Sequence, residues 1–143
     1  MRAKKSLGQN FLKDNNILDN IADIGKITNE DIILEIGPGT GNLTEKILSK
    51  NPKSLIVVEK DKDLSKKLSN KFSNKLKIIN KDILECYNNF KFDKPFIVYG
   101  NLPYNISTKI LLSFLKIDKL DKKIKKFVFV FQKEVADRIV AKE

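Results

Sequence analysis

The stretch Glu35-Ile36-Gly37-Pro38-Gly39-Thr40-Gly41 joins an apolar run over residues 31–36 to a segment with helical apolar spacing that starts at Leu43. Three of the chain's six glycines fall in this stretch. Glycine permits positive φ and lets the backbone approach a ligand closely. The G-x-G-x-G spacing is neither that of dinucleotide sites nor that of a P-loop. The stretch therefore predicts a strand-to-helix turn. Glu35 makes a phosphate ligand unfavourable at the turn and favours a ligand with positive charge.

Short apolar runs alternate with amphipathic segments along the rest of the chain. The runs typical of strands cover residues 31–36, 54–58, 76–79, 95–99 and 127–131. Apolar residues with helical spacing fall between them, and a further helix capped by Asp14 precedes the first strand. This alternation predicts βαβ units in an α/β fold, with a mostly parallel sheet covered by helices on both faces.

Composition excludes several classes of protein. The 143 residues are enough for one domain, and no apolar run is long enough to span a bilayer. The first residues lack the apolar core of a signal peptide. The lone Cys86 excludes an internal disulfide and a cysteine metal cluster, and it fits a reducing compartment. Because the chain has no histidine, we expect chemistry that needs neither a histidine base nor a metal.

The net charge of +10 favours a polyanionic partner. Almost all of the positive charge is lysine, however, since Arg2 and Arg138 are the only arginines. A compositional bias towards lysine, asparagine and isoleucine would raise the charge without any binding role. The densest cluster, typical of a solvated loop, consists of Lys119, Lys122, Lys123, Lys125 and Lys126.

Carboxylates follow two of the predicted strands. Glu59 comes directly after the second strand, where an acid can accept both hydroxyls of a ribose. Asp82 follows the third strand, in a position to accept an adenine amine, and Ile83 beside it can cover the ring. Each acid alone is also a common strand-end or helix-cap residue. Together with the glycine turn they predict a site for a nucleoside without phosphates, of which S-adenosylmethionine is the common example.

The fourth strand opens into Gly100-Asn101-Leu102-Pro103-Tyr104. Asn101 provides an amide acceptor, proline fixes φ and has no N–H, and Tyr104 provides a flat ring for stacking. Such a set suits the exocyclic amine of a planar base, and its alternative is a plain strand-ending turn. In open α/β sheets this edge is where ligands bind.

With these pieces assembled, the chain resembles the ribosomal RNA adenine dimethyltransferases. The matching stretches cover nearly the whole chain, and they are residues 7–12, 34–44, 57–61, 82, 100–108 and 131–138. Leu102 before Pro103, and Thr40 between glycines, are similar to the small-subunit branch rather than the erythromycin-resistance branch. The resemblance implies a Rossmann-like methyltransferase that uses S-adenosylmethionine. It would methylate the amines of two adjacent adenosines near the 3′ end of small-subunit ribosomal RNA during ribosome biogenesis.

The resemblance also implies roles for individual residues. The implied cofactor-binding residues are Asn10, Leu12, Gly37, Gly39, Glu59, Asp82, Ile83 and Asn101. The implied catalytic residues are Asn101, Leu102, Pro103 and Tyr104. In this reading the Asn101 oxygen and the carbonyl of Leu102 or Pro103 accept the amine hydrogens, which aims the nitrogen lone pair at the methyl group. The substrate would be ribosomal RNA in an immature small subunit, and we expect a cytoplasmic monomer without a metal.

Members of that family are considerably longer than this chain. We therefore expect residues 1–143 to be an incomplete methyltransferase domain, truncated after the fifth strand and inside a helix over residues 132–142, without the helical domain that contacts RNA. If the protein ends at Glu143, we expect cofactor sites that are present on an unstable or inactive sheet. The alternatives are a resistance-type large-subunit enzyme, a DNA-adenine or protein-glutamine methyltransferase, and a catalytically impaired assembly factor. The intact Glu59, Asp82 and Asn101 argue against the last of these.

Overall fold

The computed structural model describes residues 14–130, which form one five-stranded sheet with helices on both faces. The strands are β1 (Ile32–Ile36), β2 (Ser54–Val58), β3 (Lys77–Ile79), β4 (Phe96–Asn101) and β5 (Ile124–Val130). The helices are α1 (Asn15–Ile24), α2 (Asn42–Ser49), α3 (Lys62–Phe72), α4 (Ile83–Cys86), α5 (Tyr104–Leu115) and α6 (Leu120–Lys123). A 3-10 turn (Ser73–Lys75) follows α3.

All neighbouring strands are parallel, in the order β3-β2-β1-β4-β5. The predicted α/β fold is confirmed. The chain runs outward from β1 to β3 and then returns to start β4 on the other side of β1. This reversal leaves a crevice at the carboxyl ends of β1 and β4, where ligands bind in open α/β sheets.

Alternate side chains of the central strands enter two different cores, because successive residues of a strand point to opposite faces. Leu34 and Val98 belong to the core beneath α4 and α5. Ile33 and Ile97 belong to the core beneath α1 and α2. Burial on both faces explains why β1 is apolar at four of its five positions, with Glu35 the exception.

Helix α1 is attached to the sheet by a buried hydrogen bond. The hydroxyl of Tyr99, which is fully buried in β4, donates to the Ala22 carbonyl over 2.6 Å. Burial raises the pKa of Tyr99 to about 12, so the hydroxyl keeps its proton. Asp14 caps the helix as predicted, since its carboxylate accepts from the backbone N–H groups of Asn16 and Ile17.

The last two strands differ from the sequence prediction. Strand β4 continues through Gly100 and Asn101, because these residues pair in register with Phe129 and Val130 of β5. Strand β5 begins at Ile124, three residues before the predicted start, and its ladder to β4 has a register shift near its beginning.

The lysine cluster is not a loop, contrary to the sequence-based interpretation. Lys122 and Lys123 lie in α6, and Lys125 and Lys126 lie in β5. The Lys125 ammonium is 3.1 Å from a carboxylate oxygen of Asp31. Lys126 donates to the Gly25 carbonyl over 3.0 Å. These two lysines therefore attach β5 to the chain before β1.

Within residues 14–130, no helix has both the length and the apolar character needed to cross a bilayer. The same part of the chain holds no group of three or more histidine, cysteine or acidic side chains placed to hold a metal ion.

Candidate functional site

The three glycines of the turn between β1 and α2 have positive φ angles, which residues with a side chain rarely adopt. The φ angles are +66° at Gly37, +60° at Gly39 and +88° at Gly41. A Cβ on Gly37 would lie 2.2 Å from Leu102 Cδ2, and a Cβ on Gly41 would lie 2.6 Å from a ring carbon of Phe72. A Cβ on Gly39 would meet no atom of residues 14–130 within 4 Å. Gly37 therefore allows close contact with the loop after β4, whereas Gly39 borders open space.

Glu59, at the end of β2, is held rigidly by backbone donors. One carboxylate oxygen accepts from the Gly39 N–H over 3.1 Å, and the other accepts from the Asp61 N–H over 2.9 Å. The residue is only 7% exposed. A carboxylate has about four acceptor positions, so two remain after these bonds. Glu59 thus joins the glycine turn to β2 and can still accept two hydroxyl groups.

Asp82 lies after β3 and caps α4. One of its carboxylate oxygens accepts from the Leu84 N–H over 3.0 Å, and the other is 3.6 Å from the Lys60 ammonium. Its side chain is 27% exposed, so the carboxylate combines a cap with access to solvent. Ile83 is buried beside it and belongs to the core beneath α4 and α5.

A cleft of about 370 Å³ lies between these groups and α5. Five of the residues predicted from the sequence line it, and they are Gly37, Glu59, Asp82, Ile83 and Leu102. Its remaining walls come from the last residues of β1 and β2, from residues 60, 81 and 84, and from residues 105, 106, 109 and 110. The volume is within the usual range of about 300–1,000 Å³ for ligand pockets.

Other predicted residues lie beside the cleft or outside the described part of the chain. Asn101 ends β4, Pro103 is the cap residue of α5, and Tyr104 is its first residue, so all three follow the same strand end. Asn10 and Leu12 lie outside the described residues, and so does the predicted helix over residues 132–142.

The two carbonyls after Asn101 have different partners. The Pro103 carbonyl accepts from the N–H groups of Ile106 and Ser107, over 3.1 and 2.9 Å. Among the described residues, the Leu102 carbonyl accepts only from the Ser107 hydroxyl, over 3.1 Å. Because a carbonyl oxygen has two lone pairs, Leu102 has acceptor capacity left and Pro103 has none.

Glu35 lies beneath the glycine turn on the α2 side of the sheet and is completely buried. One carboxylate oxygen accepts from the Thr44 hydroxyl over 2.5 Å, and the other has no partner in the described structure. Burial raises the pKa of Glu35 to about 7, and the nearby Glu59 adds to the increase, while the Thr44 hydrogen bond opposes it. Glu35 therefore places a titratable acid directly under the turn.

Sequence reasoning missed three residues that hold the site together. Ser107 orients the Leu102 carbonyl, and Thr44 holds Glu35. Asn80 donates through its side-chain amide to the carbonyls of Glu59 and Lys60, over 2.8 and 3.1 Å. The only sign of these residues in the sequence is that each is a polar residue near a motif. Which backbone or side-chain group each of them contacts depends on how the strand ends are arranged in space.

The arrangement can bind a neutral or cationic molecule with hydroxyl and amine donors. Two carboxylates supply acceptors, and Leu102, Ile83 and Ile106 supply apolar walls. The carbonyl of Leu102, a residue that lines the cleft, is oriented by the Ser107 hydroxyl. No phosphate cradle is formed, because Glu59 takes the Gly39 N–H that a phosphate would need.

Comparisons with known proteins agree with this geometry. A family model described as ribosomal RNA adenine dimethylase matches residues 1–143. The ribosomal RNA small subunit methyltransferase A of Pelagibacter ubique (strain HTCC1062) is 52% identical over 141 residues, which are 99% of this chain and 53% of the relative. The protein of the same name from Wolbachia sp. subsp. Brugia malayi (strain TRS) is 41% identical over 145 residues, which cover 99% of this chain and 54% of the relative. The chain thus spans about half the length of the curated relatives it matches.

Two solved structures are similar in fold and in sequence. The 23S rRNA methyltransferase ErmE superposes with a TM-score of 0.73 at 25% identity, covering 91% of this chain and 51% of that one. A dimethyladenosine transferase from Plasmodium falciparum superposes with a TM-score of 0.68 at 32% identity, covering 87% and 44%. The Rossmann-like methyltransferase fold expected from the resemblance is confirmed. Because the family model matches the chain from its first residue to its last, the chain belongs to the ribosomal RNA adenine dimethylase family.

Proposed function

We propose that this chain is the catalytic portion of an S-adenosylmethionine-dependent methyltransferase that dimethylates two adjacent adenosines near the 3′ end of small-subunit ribosomal RNA. One observation carries the proposal. A single cleft is lined by Gly37 of the glycine turn, by Glu59 and Asp82, and by Leu102, which follows Asn101 and whose carbonyl accepts from the Ser107 hydroxyl. A donor site and an acceptor site for methyl transfer thereby share one edge of the sheet.

The residues present fit S-adenosylmethionine better than a nucleotide. Glu59 retains two acceptor positions for ribose hydroxyls, and the Asp82 carboxylate has acceptor positions left for an adenine amine beside Ile83. The space beside Gly39 that the described residues leave open gives room for a ligand along the turn. Buried acid at Glu35 and Glu59 favours a cationic ligand. Asn10 and Leu12 are proposed to cover its methionine end.

When bound, S-adenosylmethionine supplies an electrophilic methyl group on a sulfonium. The chain's part is to position the adenine amine, whose lone pair is delocalised into the ring. The Asn101 side-chain oxygen and the Leu102 carbonyl accept the two amine hydrogens, which favours a pyramidal nitrogen. Ser107 holds the Leu102 carbonyl in place for this. Pro103 shapes the loop, and Tyr104 stacks on the extruded base. The proton of the cationic product amine leaves to water.

The small subunit is the preferred substrate because the relatives with 52% and 41% identity are named for it. Leu102 before Pro103 supports the same choice. The structural likeness to ErmE, whose name specifies 23S rRNA, makes large-subunit methylation the second candidate. We further propose that the chain acts in the cytoplasm as a monomer, on a small subunit still being assembled.

Incorporation of labelled methyl groups into purified small and large subunits tests the proposal. We expect label in the small subunit only, at adjacent adenosines, with Asn101→Ala abolishing it. Asn70→Ala on the exposed side of α3 is the matched control and should leave the label unchanged. Label confined to the large subunit would select the second candidate. Undiminished label in Asn101→Ala would remove the role given to Asn101.

A further inference from the structure

A second and larger groove, of about 710 Å³, runs along the outer edge of β3. Leu55, Ile56 and Ile79 contribute from β2 and β3, and the walls come from residues 74–77 and from residues 89–92. In the described sheet β3 pairs only with β2, so its other edge faces this groove. The cofactor cleft uses none of this surface except at one end, where Lys81 lines both.

The groove is strongly and uniformly basic. Five lysines line it, and they are Lys53, Lys75, Lys77, Lys81 and Lys91. All five are exposed, and no aspartate or glutamate is among the lining residues. None of the five forms an ion pair with another residue of the described range, whereas Lys46, Lys50 and Lys125 each do. Uncompensated charges of one sign along a groove attract a polyanion.

The same groove provides surfaces for bases as well as for phosphates. Phe90 and Phe92 are half-buried in its wall, with nearly parallel rings 17° apart and centroids 6.5 Å apart. Asn74 and Asn89 add side-chain amides. Basic grooves with aromatic side chains are the usual site of single-stranded nucleic acid, because phosphates follow the cations and bases stack on the rings. A duplex would not present its bases in this way.

We propose that the groove along β3 binds a single-stranded segment of the RNA substrate, outside the methylation site itself. The phosphates lie along the lysines, and a base contacts Phe90. Lys81 stands where groove and cleft meet, so the bound segment is continuous with RNA that approaches the cleft. This proposal rests on the proposed function, because it names a second contact surface for the same RNA.

A triple variant tests the electrostatic part. Lys75→Gln, Lys77→Gln and Lys91→Gln are combined, and Lys81 is kept because it also lines the cofactor cleft. Binding of a fluorescein-labelled single-stranded RNA of about 12 nucleotides is followed by anisotropy between about 50 and 200 mM salt. Each lost phosphate contact lowers the slope of log K against log salt by about 0.7. We expect the slope to fall by about 2 and the affinity to fall about tenfold.

The control removes the same charge from exposed lysines at and just before α6. Lys116→Gln, Lys122→Gln and Lys123→Gln are combined, and the acids Asp118 and Asp121 lie among these lysines. We expect little change in slope. Three outcomes would each overturn the proposal. They are equal losses of RNA affinity in the two triple variants, unchanged RNA binding in the groove variant, and a parent chain that does not bind the RNA.

Three further probes separate the partner classes. Phe90→Leu should weaken binding of single-stranded RNA roughly five- to tenfold and leave the salt slope unchanged. Duplex RNA should bind more weakly than the single strand, and polyglutamate should not compete. A duplex bound equally well, or effective competition by polyglutamate, contradicts the single-strand proposal, the latter in favour of an acidic protein.

The affinity for S-adenosylhomocysteine distinguishes failure of this proposal from failure of the proposed function. None of the six substituted lysines lines the cofactor cleft, so both triple variants should bind it as the parent chain does. Loss of the RNA effects with cofactor binding intact refutes the groove alone. Absence of cofactor binding in every variant, with the RNA effects present, refutes the proposed function alone.

Discussion

Replacing Gly37 by alanine tests how the turn and the loop after β4 are coupled. Gly37 has φ +66°, and its added Cβ would lie 2.2 Å from Leu102 Cδ2 and 3.0 Å from Leu102 Cγ. Gly39 has nearly the same φ, +60°, and its added Cβ would meet nothing within 4 Å in the part of the chain that the structure describes. The two alanine variants therefore share the backbone strain and differ in the collision with Leu102.

The expected magnitudes follow from that difference. A left-handed conformation costs a non-glycine residue about 1–2 kcal/mol, and both variants pay it. Moving the Leu102 side chain out of its rotamer adds about 0.5–1.5 kcal/mol in Gly37→Ala alone. We expect Gly39→Ala to lose about 1 kcal/mol of unfolding free energy and Gly37→Ala about 2–3 kcal/mol. Because Leu102 also lines the cleft, we expect its displacement in Gly37→Ala to weaken binding of S-adenosylhomocysteine about tenfold.

Urea unfolding followed by circular dichroism measures the free energies, provided that the slopes agree among variants. A double-mutant cycle with Leu102→Ala isolates the collision, because the shortened side chain removes the atoms that clash. Gly37→Ala should cost about 1 kcal/mol less in the Leu102→Ala background than in the parent. Equal costs for Gly37→Ala and Gly39→Ala, or no coupling in the cycle, would refute the reasoning.

Three further predictions concern single groups. Because burial raises the pKa of Glu35 to about 7, this acid stabilises the fold most below its usual pKa of 4.5, and the contribution of about 3 kcal/mol is lost as the pH rises to about 7. The urea midpoint of Glu35→Gln should therefore change less between those pH values than that of the parent chain. The same pH dependence in both would show that Glu35 does not titrate in this range. Tyr99→Phe leaves the Ala22 carbonyl buried without its donor and should cost about 1–3 kcal/mol in the same unfolding assay. Ser107→Ala frees the Leu102 carbonyl and should lower the methyl-transfer rate about tenfold at unchanged S-adenosylhomocysteine affinity. A proportionate loss of cofactor affinity would show that Ser107 acts on the fold instead.

Local patterns predicted much of the fold. The strand Ser54–Val58 was predicted with its correct limits, because an apolar run between polar residues leaves little ambiguity. The predicted turn after residue 36 and the Asp14 cap are confirmed, since both depend on residues within a few positions of each other. The family followed from several motifs in the expected order, and the family model agrees. That the predicted site residues act on cofactor or substrate stays a prediction, for those that line the cleft as for the others.

What failed were features decided by partners far along the chain. The sequence gives no reason for β5 to begin at Ile124, because that limit depends on pairing with β4 and on Lys125 reaching Asp31. The densest lysine cluster, which the sequence predicted as a solvated loop, lies in a short helix and a strand, because contacts with distant residues also decide its structure.

The sequence by itself determined the class of fold, the family and the residue types at the strand ends, since these depend on periodicity and on short motifs. Only the tertiary structure decided which oxygen atoms of the site can still accept a hydrogen bond from a ligand. Glu59 has given one acceptor position on each oxygen to Gly39 and Asp61, and the Pro103 carbonyl is fully occupied by α5. The tertiary structure also brings together the basic groove along β3, whose lining residues lie between positions 53 and 92. The physical reason is that hydrogen-bond capacity and charge density depend on distances in space, which separation along the chain does not determine.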